Sequence, residues 1–294
     1  MLSIDVGFGN TKIYDGEELA AFPSVYKSTT VDYEPSTDPD DQLLELDGVR
    51  YHVGITALKE GGLAPFDKED MLRHRIFTLT AICASTEGED FADDVALGLP
   101  IGDYAFMADK LKKEIKGKYE VKYNGKKVNI DIKSVKVYAQ AEAVYKLLAK
   151  DTPEIANKLV GIVDVGQKTV DFAFFNRGRF VKEWSGSMEQ GVINAYQSIA
   201  TAIEEKLGYE VPDYDVPHYR DRLPEDNEKA FSTMATAIKD RLIRKHWNFK
   251  QMDYIYIVGG GTSYIAPYFK DTPYKPIDGE KAVFANAYGY YEGE

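Results

Sequence analysis

The chain has 294 residues, of which 44% are hydrophobic, and it carries a formal net charge of −12. No apolar run is close to the length of about 18 residues that a membrane-spanning helix needs. The negative net charge argues against strong direct nucleic-acid binding by the surface as a whole. The single cysteine, Cys83 in an apolar stretch, excludes a disulfide framework and favours an inert core residue in a reducing cytoplasm. Because Met1 leads directly into a strand pattern, we expect no signal peptide and a cytoplasmic location.

The first predicted element is a strand–turn–strand unit over residues 2–14, LSIDVGFGNTKIY. The residues of its turn and of the start of its second strand are Asp5, Val6, Gly7, Phe8, Gly9, Asn10, Thr11 and Lys12. A tight glycine turn exposes backbone N–H groups, which can bind phosphate. A dinucleotide-binding fold needs a helix after such glycines, but Thr11–Tyr14 has the pattern of a strand, so we reject that fold. Lys12 either points back toward the phosphates or is an exposed strand lysine.

The remaining predicted elements of the first half are a hairpin at 44–54, a helix at 68–85, a strand at 95–100, a helix from about 104 to 115 and a hairpin at 119–132. In the last of these, Asn124-Gly125 supplies the positive φ angles of a type I′ turn. Several lysines surround this hairpin, which favours a solvated, protected edge strand over contact with nucleic acid.

A second strand–turn–strand unit covers residues 159–176, LVGIVDVGQKTVDFAFFN. Its turn contains Asp164-Val165-Gly166 and continues through Gln167, Lys168 and Thr169. Asp164 and Asp171 bracket this turn with negative charge, which would repel phosphate unless a divalent cation lay between them. Their hard oxygen ligands suit Mg²⁺. Taken alone, the stretch is equally consistent with an ordinary hairpin that has acidic turn residues.

A third glycine turn follows the apolar strand 254–258. Its residues are Gly259, Gly260, Gly261 and Thr262. Between the second and third turns, Gly191 opens a predicted helix at 192–207, where a missing side chain would let a nucleotide approach the backbone. The short stretch 208–226 leaves room for only a small outer subdomain before a helix predicted at 226–247. Two matching Asp-x-Gly turns followed by a third glycine turn form a far more specific pattern than any one of these turns alone.

These three turns resemble the first phosphate, second phosphate and adenosine motifs of the actin-like ATPases, the superfamily of actin, heat-shock chaperones and sugar kinases. The segments FPSV (22–25), LDGVRYHVG (46–54) and LPI (99–101) resemble the plasmid-segregation branch, the ParM or StbA type, more than actin itself. The resemblance covers nearly the whole chain. One departure is that Gln167 and Lys168 stand where relatives usually have Gly and Thr.

The resemblance implies an α/β, actin-like fold of two lobes, each built on a mixed five-stranded sheet of the ribonuclease-H type, with a nucleotide cleft between them. Lobe I would comprise 1–138 and 282–294, and lobe II 149–281. Two small-residue helices, at 139–148 and 282–292, would form the hinge.

The resemblance also implies roles for individual residues. Backbone amides at 7–11 and 166–169, with Lys12, would hold the phosphates, and Gly259–Thr262 would hold the adenosine. Mg²⁺ would be held through water by Asp5, Asp164 and Asp171. Gln140, at the start of the hinge helix, would orient the attacking water, as glutamine does in other phosphoryl transfers; otherwise it is a polar residue at a helix start. Asp171 and Glu142 are further catalytic candidates, Glu142 the weaker because it would point to another helix face.

By this resemblance the protein hydrolyses ATP or GTP and forms filaments of its own subunits that move or position plasmid DNA, with a DNA-binding adaptor and a plasmid centromere as partners. A small-molecule kinase of the same superfamily is the main alternative, although we find no separate aspartate to act as base for a substrate hydroxyl. A non-motor adaptor is a third interpretation. Such adaptors usually end in a membrane anchor, whereas the acidic ending YGYYEGE would be repelled by anionic lipid. A chaperone would need a further substrate-binding domain.

Overall fold

The computed structural model describes residues 1–30, 41–62 and 70–293. These residues form two compact units. Unit 1 consists of Met1–Leu99, Asp103–Ala139 and Asn286–Glu294, and unit 2 consists of Pro100–Gly102 and Gln140–Ala285. The first two residues of the helix predicted at 68–85 lie outside the described residues. Within the described ranges, no helix is long and apolar enough to cross a membrane.

The first half of the chain contains, in order, β1 (Leu2–Val6), β2 (Asn10–Tyr14), β3 (Leu19–Pro23), β4 (Tyr26–Thr29), β5 (Gln42–Leu46), β6 (Val49–Val53), α1 (Ile55–Lys59), α2 (Met71–Ser85), β7 (Val95–Leu99), α3 (Ile101–Ile115), β8 (Gly117–Tyr123), β9 (Lys126–Ile132) and β10 (Val135–Ala139). The second half contains α4 (Val144–Asp151), β11 (Leu159–Val165), β12 (Val170–Asn176), β13 (Arg179–Phe180), β14 (Gly186–Met188), α5 (Val192–Leu207), α6 (Pro224–Arg244), β15 (Tyr254–Val258), α7 (Thr262–Ile265), α8 (Gly279–Val283) and α9 (Ala285–Tyr291).

The main sheet of unit 1 is five-stranded, in the order β10-β7-β1-β2-β3. β1, β2 and β3 pair antiparallel, while β7 and β10 run parallel to β1. Every residue of β1 is buried, as expected for a central strand of a mixed sheet. Because β2 follows the first turn as a strand, the rejection of a dinucleotide-binding fold is confirmed.

A second sheet of unit 1 is antiparallel, in the order β4-β6-β5-β8-β9. The turn between β8 and β9 has φ angles of 48° at Asn124 and 81° at Gly125, which confirms the predicted hairpin. β9 forms the edge of this sheet and begins with two exposed lysines, Lys126 and Lys127. Of these, Lys127 lies 2.7 Å from Glu120. This arrangement fits the expected charged edge strand.

Helix α2 contacts both sheets of unit 1, so it is buried on almost all sides. The side chain of Asp70 caps it, accepting hydrogen bonds from the amides of Leu72 and Arg73. Burial raises the pKa of the Cys83 thiol to about 12, which agrees with an inert core cysteine. Arg73 is buried as well, with 2% of its surface exposed, and this was not predicted.

Unit 2 is built on a mixed sheet in the order β13-β12-β11-β15, with β14 also paired to β12. β11 and β12 are antiparallel, whereas β15 runs parallel to β11. Its core contains aromatic side chains of the sheet packed against α5 and α6. A mixed sheet of five strands is therefore present in each unit, as the actin-like fold requires.

The predicted helix at 139–148 is wrong at its start. Ala139 ends β10, residues 140–143 form a turn, and α4 begins at Val144. Ala141 has a φ of 60°, which a right-handed helix cannot contain. The predicted helix at 282–292 is likewise divided at Phe284, into α8 and α9.

Candidate functional site

The first glycine turn joins β1 to β2 in unit 1. A Cβ on Gly7 would lie 2.7 Å from the Asn10 carbonyl oxygen, so only glycine allows the chain to double back this sharply. The Gly9 carbonyl accepts a hydrogen bond from the Ser24 amide (2.9 Å), and the hydroxyls of Ser24 and Thr11 lie 2.9 Å apart. The segment FPSV, noted for its resemblance to plasmid-segregation actins, therefore forms the support behind this turn.

Arg73 on α2 holds the same turn from inside unit 1. Its Nη2 donates a hydrogen bond to the Gly7 carbonyl oxygen (2.8 Å), and its guanidinium lies 4.5 Å from the ring centroid of Phe8. Burial lowers the pKa of Arg73 to about 10, so it remains charged at neutral pH. It supplies a buried positive charge directly behind a turn that is expected to bind an anion.

Asp5 and Lys12 lie opposite each other on β1 and β2. The Lys12 ammonium is 3.4 Å from Asp5 Oδ2, and only 12% of the lysine side chain is exposed. The alternative of an exposed strand lysine therefore does not hold, because this side chain lies within the turn's own charge pair. Asp5 itself is buried, with 2% exposure.

The second glycine turn, in unit 2, is held by the first residues of α5. The amides of Gly191, Val192 and Ile193 donate to the carbonyls of Lys168, Gly166 and Gln167, at 3.0, 3.1 and 2.9 Å. A Cβ on Gly191 would overlap the Gln167 carbonyl. This packing is a second reason for glycine at position 191, and approach of a nucleotide to its backbone stays a prediction. Gly191 is required because the second turn itself occupies the space.

The third glycine turn packs against the second. A Cβ on Gly259 would overlap Asp164 Oδ1, and one on Gly261 would overlap the side chain of Val165. Gly260 is exposed, and a Cβ there would have no heavy atom outside the neighbouring residues within 4 Å. The Gly261 amide also donates to the Val165 carbonyl (2.8 Å). Two of the three glycines therefore allow close packing of the turns, and Gly260 forms the open apex. Thr262 closes the turn by donating to the Gly259 carbonyl (2.7 Å).

Asp164 and Asp171 face each other across β11 and β12, and both are buried. Asp171 accepts hydrogen bonds from the Ile101 amide (2.9 Å), from the Thr169 hydroxyl (3.2 Å) and from the Ser187 hydroxyl. These bonds use both of its carboxylate oxygens, so Asp171 is suited to holding the turn and the segment at Ile101 in place.

Gln140 lies in the turn after β10 and has 9% of its surface exposed. Its carbonyl accepts a hydrogen bond from the Glu142 amide (2.7 Å). The argument that Glu142 points to another face of a helix fails, because residues 140–143 are not helical. Burial raises the pKa of Glu142, which keeps it in consideration beside Gln140.

The residues present fit a metal that is held indirectly. The buried carboxylates of Asp5 and Asp164 are the hard ligands that Mg²⁺ prefers. Within the described parts of the chain, no group of three or more His, Cys, Asp or Glu side chains could hold a metal ion by itself. Binding of Mg²⁺ through water by Asp5, Asp164 and Asp171 therefore stays a prediction.

The structure brings the predicted residues together in two sets. Unit 1 holds Asp5 and residues 7–12, and unit 2 holds 164–171, Gly191 and 259–262. Sequence reasoning missed Arg73. The only available signal was an arginine pair with a histidine, Arg73-His74-Arg75, inside an otherwise apolar helix pattern.

Two family descriptions match the chain in succession. Residues 3–142 match "Actin like proteins N terminal domain", and residues 162–271 match "Archaeal actin homologue MreB-like, C-terminal". The two matches together span most of the chain. The protein belongs to the actin-like proteins.

Solved structures agree with this assignment at the level of the fold. The archaeal actin homologue Ta0583, in its native form, superposes with a TM-score of 0.86 at 20% identity, covering 99% of this chain and 98% of that one. The same homologue in complex with ADP gives 0.82 at 20% identity, with the same coverage. A 15-stranded ParM filament from Clostridium botulinum gives 0.82 at 20% identity, covering 99% and 97%. No curated protein sequence matches the chain significantly.

Proposed function

We propose that the protein binds and hydrolyses ATP or GTP with Mg²⁺ and assembles into filaments of its own subunits. The observation that carries this proposal is the repeated turn. An Asp-x-Gly turn joins two antiparallel strands in unit 1 and again in unit 2, and a third glycine turn packs directly on the second. One glycine turn is common among proteins, but this set of three resembles the phosphate and adenosine motifs of the actin-like ATPases.

The similar structures support this proposal by what they contain. One is an archaeal actin homologue in complex with ADP, and another is a ParM filament. Since this chain shares the fold of both across almost its full length, we carry nucleotide binding and self-assembly over to it as a proposal.

In this proposal each unit contributes to phosphate binding. The amides of Gly7 and Gly166 already donate to the carbonyls of Asp5 and Thr169. The other backbone amides at 7–11 and 166–169 bind the phosphate oxygens, with Lys12 beside them, and residues 259–262 contact the nucleoside. Asp5 and Asp164 orient metal-bound water. Bound Mg²⁺ would neutralise charge on the phosphate oxygens.

Gln140 is proposed to orient the attacking water. Positioning of water acts mainly in the transition state, so it affects the rate more than the affinity. Asp171, which also accepts bonds from Ile101, Thr169 and Ser187, is proposed to orient metal-bound water with Asp5 and Asp164 and is the further catalytic candidate. Glu142 remains the second candidate for the water.

We further propose that the filaments segregate or position plasmid DNA in the cytoplasm, through a DNA-binding adaptor at a plasmid centromere. The resemblance of FPSV, LDGVRYHVG and LPI to plasmid-segregation actins is the basis for this step. Lys122 and Lys127 of the β8–β9 hairpin are paired with Glu45 and Glu120, which favours an adaptor over direct DNA binding.

Sedimentation and light scattering test the proposal. With Mg·ATP, or with Mg·GTP, the protein should pass a critical concentration and then pellet, whereas nucleotide-free protein should stay in the supernatant. A repeating contact between two different surfaces of the subunit produces a fibre when its rotation does not close into a ring. A non-hydrolysable analogue should support assembly better than the diphosphate, because a ligand shifts assembly only by its preference for the assembling state.

A small-molecule kinase predicts the opposite pattern. Phosphate transfer would wait for an added acceptor, and no concentration threshold would be seen. Protein that stays monomeric with ATP and GTP at tens of micromolar over a range of salt, and that phosphorylates a small acceptor, would contradict filament formation.

A further inference from the structure

The C-terminal helix of unit 1 places a tyrosine against the first glycine turn. Tyr290, on α9, has none of its surface exposed, and its hydroxyl donates a hydrogen bond to Asp5 Oδ1 (3.3 Å). The other carboxylate oxygen of Asp5 lies 3.4 Å from the Lys12 ammonium. A phenol and an ammonium thus contact the two oxygens of a buried carboxylate from residues far apart in sequence.

Gly98 in β7 provides the space for this phenol. A Cβ on Gly98 would overlap the hydroxyl end of Tyr290. Glycine weakens a strand interior and usually marks a close approach, and here the approaching group is the tyrosine. The placement of a glycine in the buried strand Val95–Leu99 is explained by the path of Tyr290 to Asp5.

Other contacts fix the helix that carries Tyr290. The Ser3 hydroxyl donates to the Ala287 carbonyl (2.6 Å), which ties α9 to β1. The ring of Tyr138 stacks on that of Tyr290, with centroids 5.7 Å apart and planes 5° apart. With the ring held on one side and the backbone on the other, the hydroxyl has a defined position.

We propose that Tyr290 is a positioning residue that orients the Asp5 carboxylate for metal-bound water, and that Gly98 exists to admit it. This inference rests on the proposed function, because it concerns how Asp5 serves Mg²⁺ there. Groups that hydrogen-bond to metal-orienting ligands typically change metal affinity when they are removed. A residue that only filled the core would affect folding and would not change the dependence on metal.

The test is the Mg²⁺ dependence of nucleotide binding in Tyr290→Phe, followed with a fluorescent ATP analogue. The variant keeps the ring and its stacking and loses one oxygen. We expect the Mg²⁺ midpoint to rise about tenfold, while affinity for the analogue in EDTA stays at the wild-type value. Tyr14→Phe is the matched control, since that hydroxyl donates to the Gly16 carbonyl (2.8 Å) in the same unit, and its midpoint should not move.

Gly98→Ala provides a second variant, because the added methyl group displaces the phenol. If it folds, its Mg²⁺ midpoint should rise at least as much as that of Tyr290→Phe; if it does not fold, Tyr290→Phe decides alone. Equal midpoints for Tyr290→Phe and Tyr14→Phe, in a protein that binds Mg·nucleotide, would overturn this inference and leave the proposed function standing. The same loss of affinity with and without Mg²⁺ would also overturn it. A wild-type protein that binds no nucleotide at all would instead overturn the proposed function, and this inference with it.

Discussion

The first and second glycine turns begin with the same Asp-x-Gly sequence but are supported in different ways. The first turn is held mainly by side chains, since the guanidinium of Arg73 bonds the Gly7 carbonyl and the hydroxyls of Ser24 and Thr11 meet behind it. The Ser24 amide adds a backbone bond to the Gly9 carbonyl. The second turn is held by backbone, since the first amides of α5 bond its carbonyls and the third glycine turn packs on it.

This difference shows that the same type of glycine turn can be stabilised either by side-chain contacts or by backbone contacts. A turn held by side chains depends on a few long polar groups that single substitutions can remove. A turn held by backbone depends on glycines, because any side chain would push the supporting segments apart. We therefore expect the two turns to respond to different substitutions.

The largest effect is expected when the backbone support is broken. Gly259→Ala should lower the free energy of unfolding by about 2–5 kcal/mol, combining about 1–2 for a left-handed backbone conformation with about 1–3 for overpacking. Gly259 has a φ of 88°, and its new methyl group would overlap the Asp164 carboxylate. Denaturant unfolding measures the change, and nucleotide binding should be lost in parallel.

Gly260→Ala is the matched control, one residue further along the same turn. Its added methyl group would enter open space, so stability should change by no more than about 0.5 kcal/mol. Equal destabilisation by the two alanines would mean that the third turn does not depend on close packing against the second.

The side-chain support is tested by Arg73→Met. Loss of a hydrogen bond to a charged group should weaken nucleotide binding by about 1.5–3 kcal/mol, or roughly 10- to 150-fold, as measured by titration calorimetry. Arg75→Met is the control on the same helix, because Arg75 forms ion pairs at 3.7 Å with partly exposed carboxylates. If the Arg75 variant bound nucleotide as weakly as the Arg73 variant, the loss would be due to a general disturbance of α2 and not to the bond between Arg73 and Gly7.

Asp5→Asn and Asp164→Asn test whether the two turns contribute alike to metal binding. Each removes one negative charge with little change in volume, and each should weaken Mg²⁺-dependent nucleotide binding by about 10- to 100-fold. Binding measured without Mg²⁺ should stay constant or improve, since charge repulsion with the phosphates is reduced. Unchanged Mg²⁺ dependence in Asp164→Asn would contradict the assignment of the second turn as a phosphate site.

The smallest expected effect is on the hydrolysis step, which involves a residue outside both turns. Gln140→Ala should keep the nucleotide affinity and slow hydrolysis about tenfold, equivalent to about 1.4 kcal/mol in the barrier. Phosphate release under single-turnover conditions measures it. Glu142→Gln should hydrolyse at the wild-type rate, and the reverse result would transfer the water-orienting role to Glu142.

Much of the fold was predictable because its signals are local. The two Asp-x-Gly turns, the apolar strands beside them and the Asn124-Gly125 hairpin each depend on a few adjacent residues. Helix α5 begins and ends where the sequence predicts, at Val192 and Leu207, since Gly191 precedes it and Gly208 takes a φ of 79° after it. The turn at 140–143 was missed because alanines favour helix, and a single positive φ at Ala141 is imposed from outside that segment.

The residues of the three candidate turns can be identified from the sequence, because glycine geometry and strand patterning act over a few positions. The groups that support each turn are visible only in the folded protein. Arg73 reaches Gly7, Gly191 admits the Gln167 carbonyl, and Tyr290 passes Gly98 to reach Asp5. Such contacts join segments distant in the chain, and no local pattern encodes them. They arise from the packing of sheets and helices, which brings buried polar groups to the partners they need.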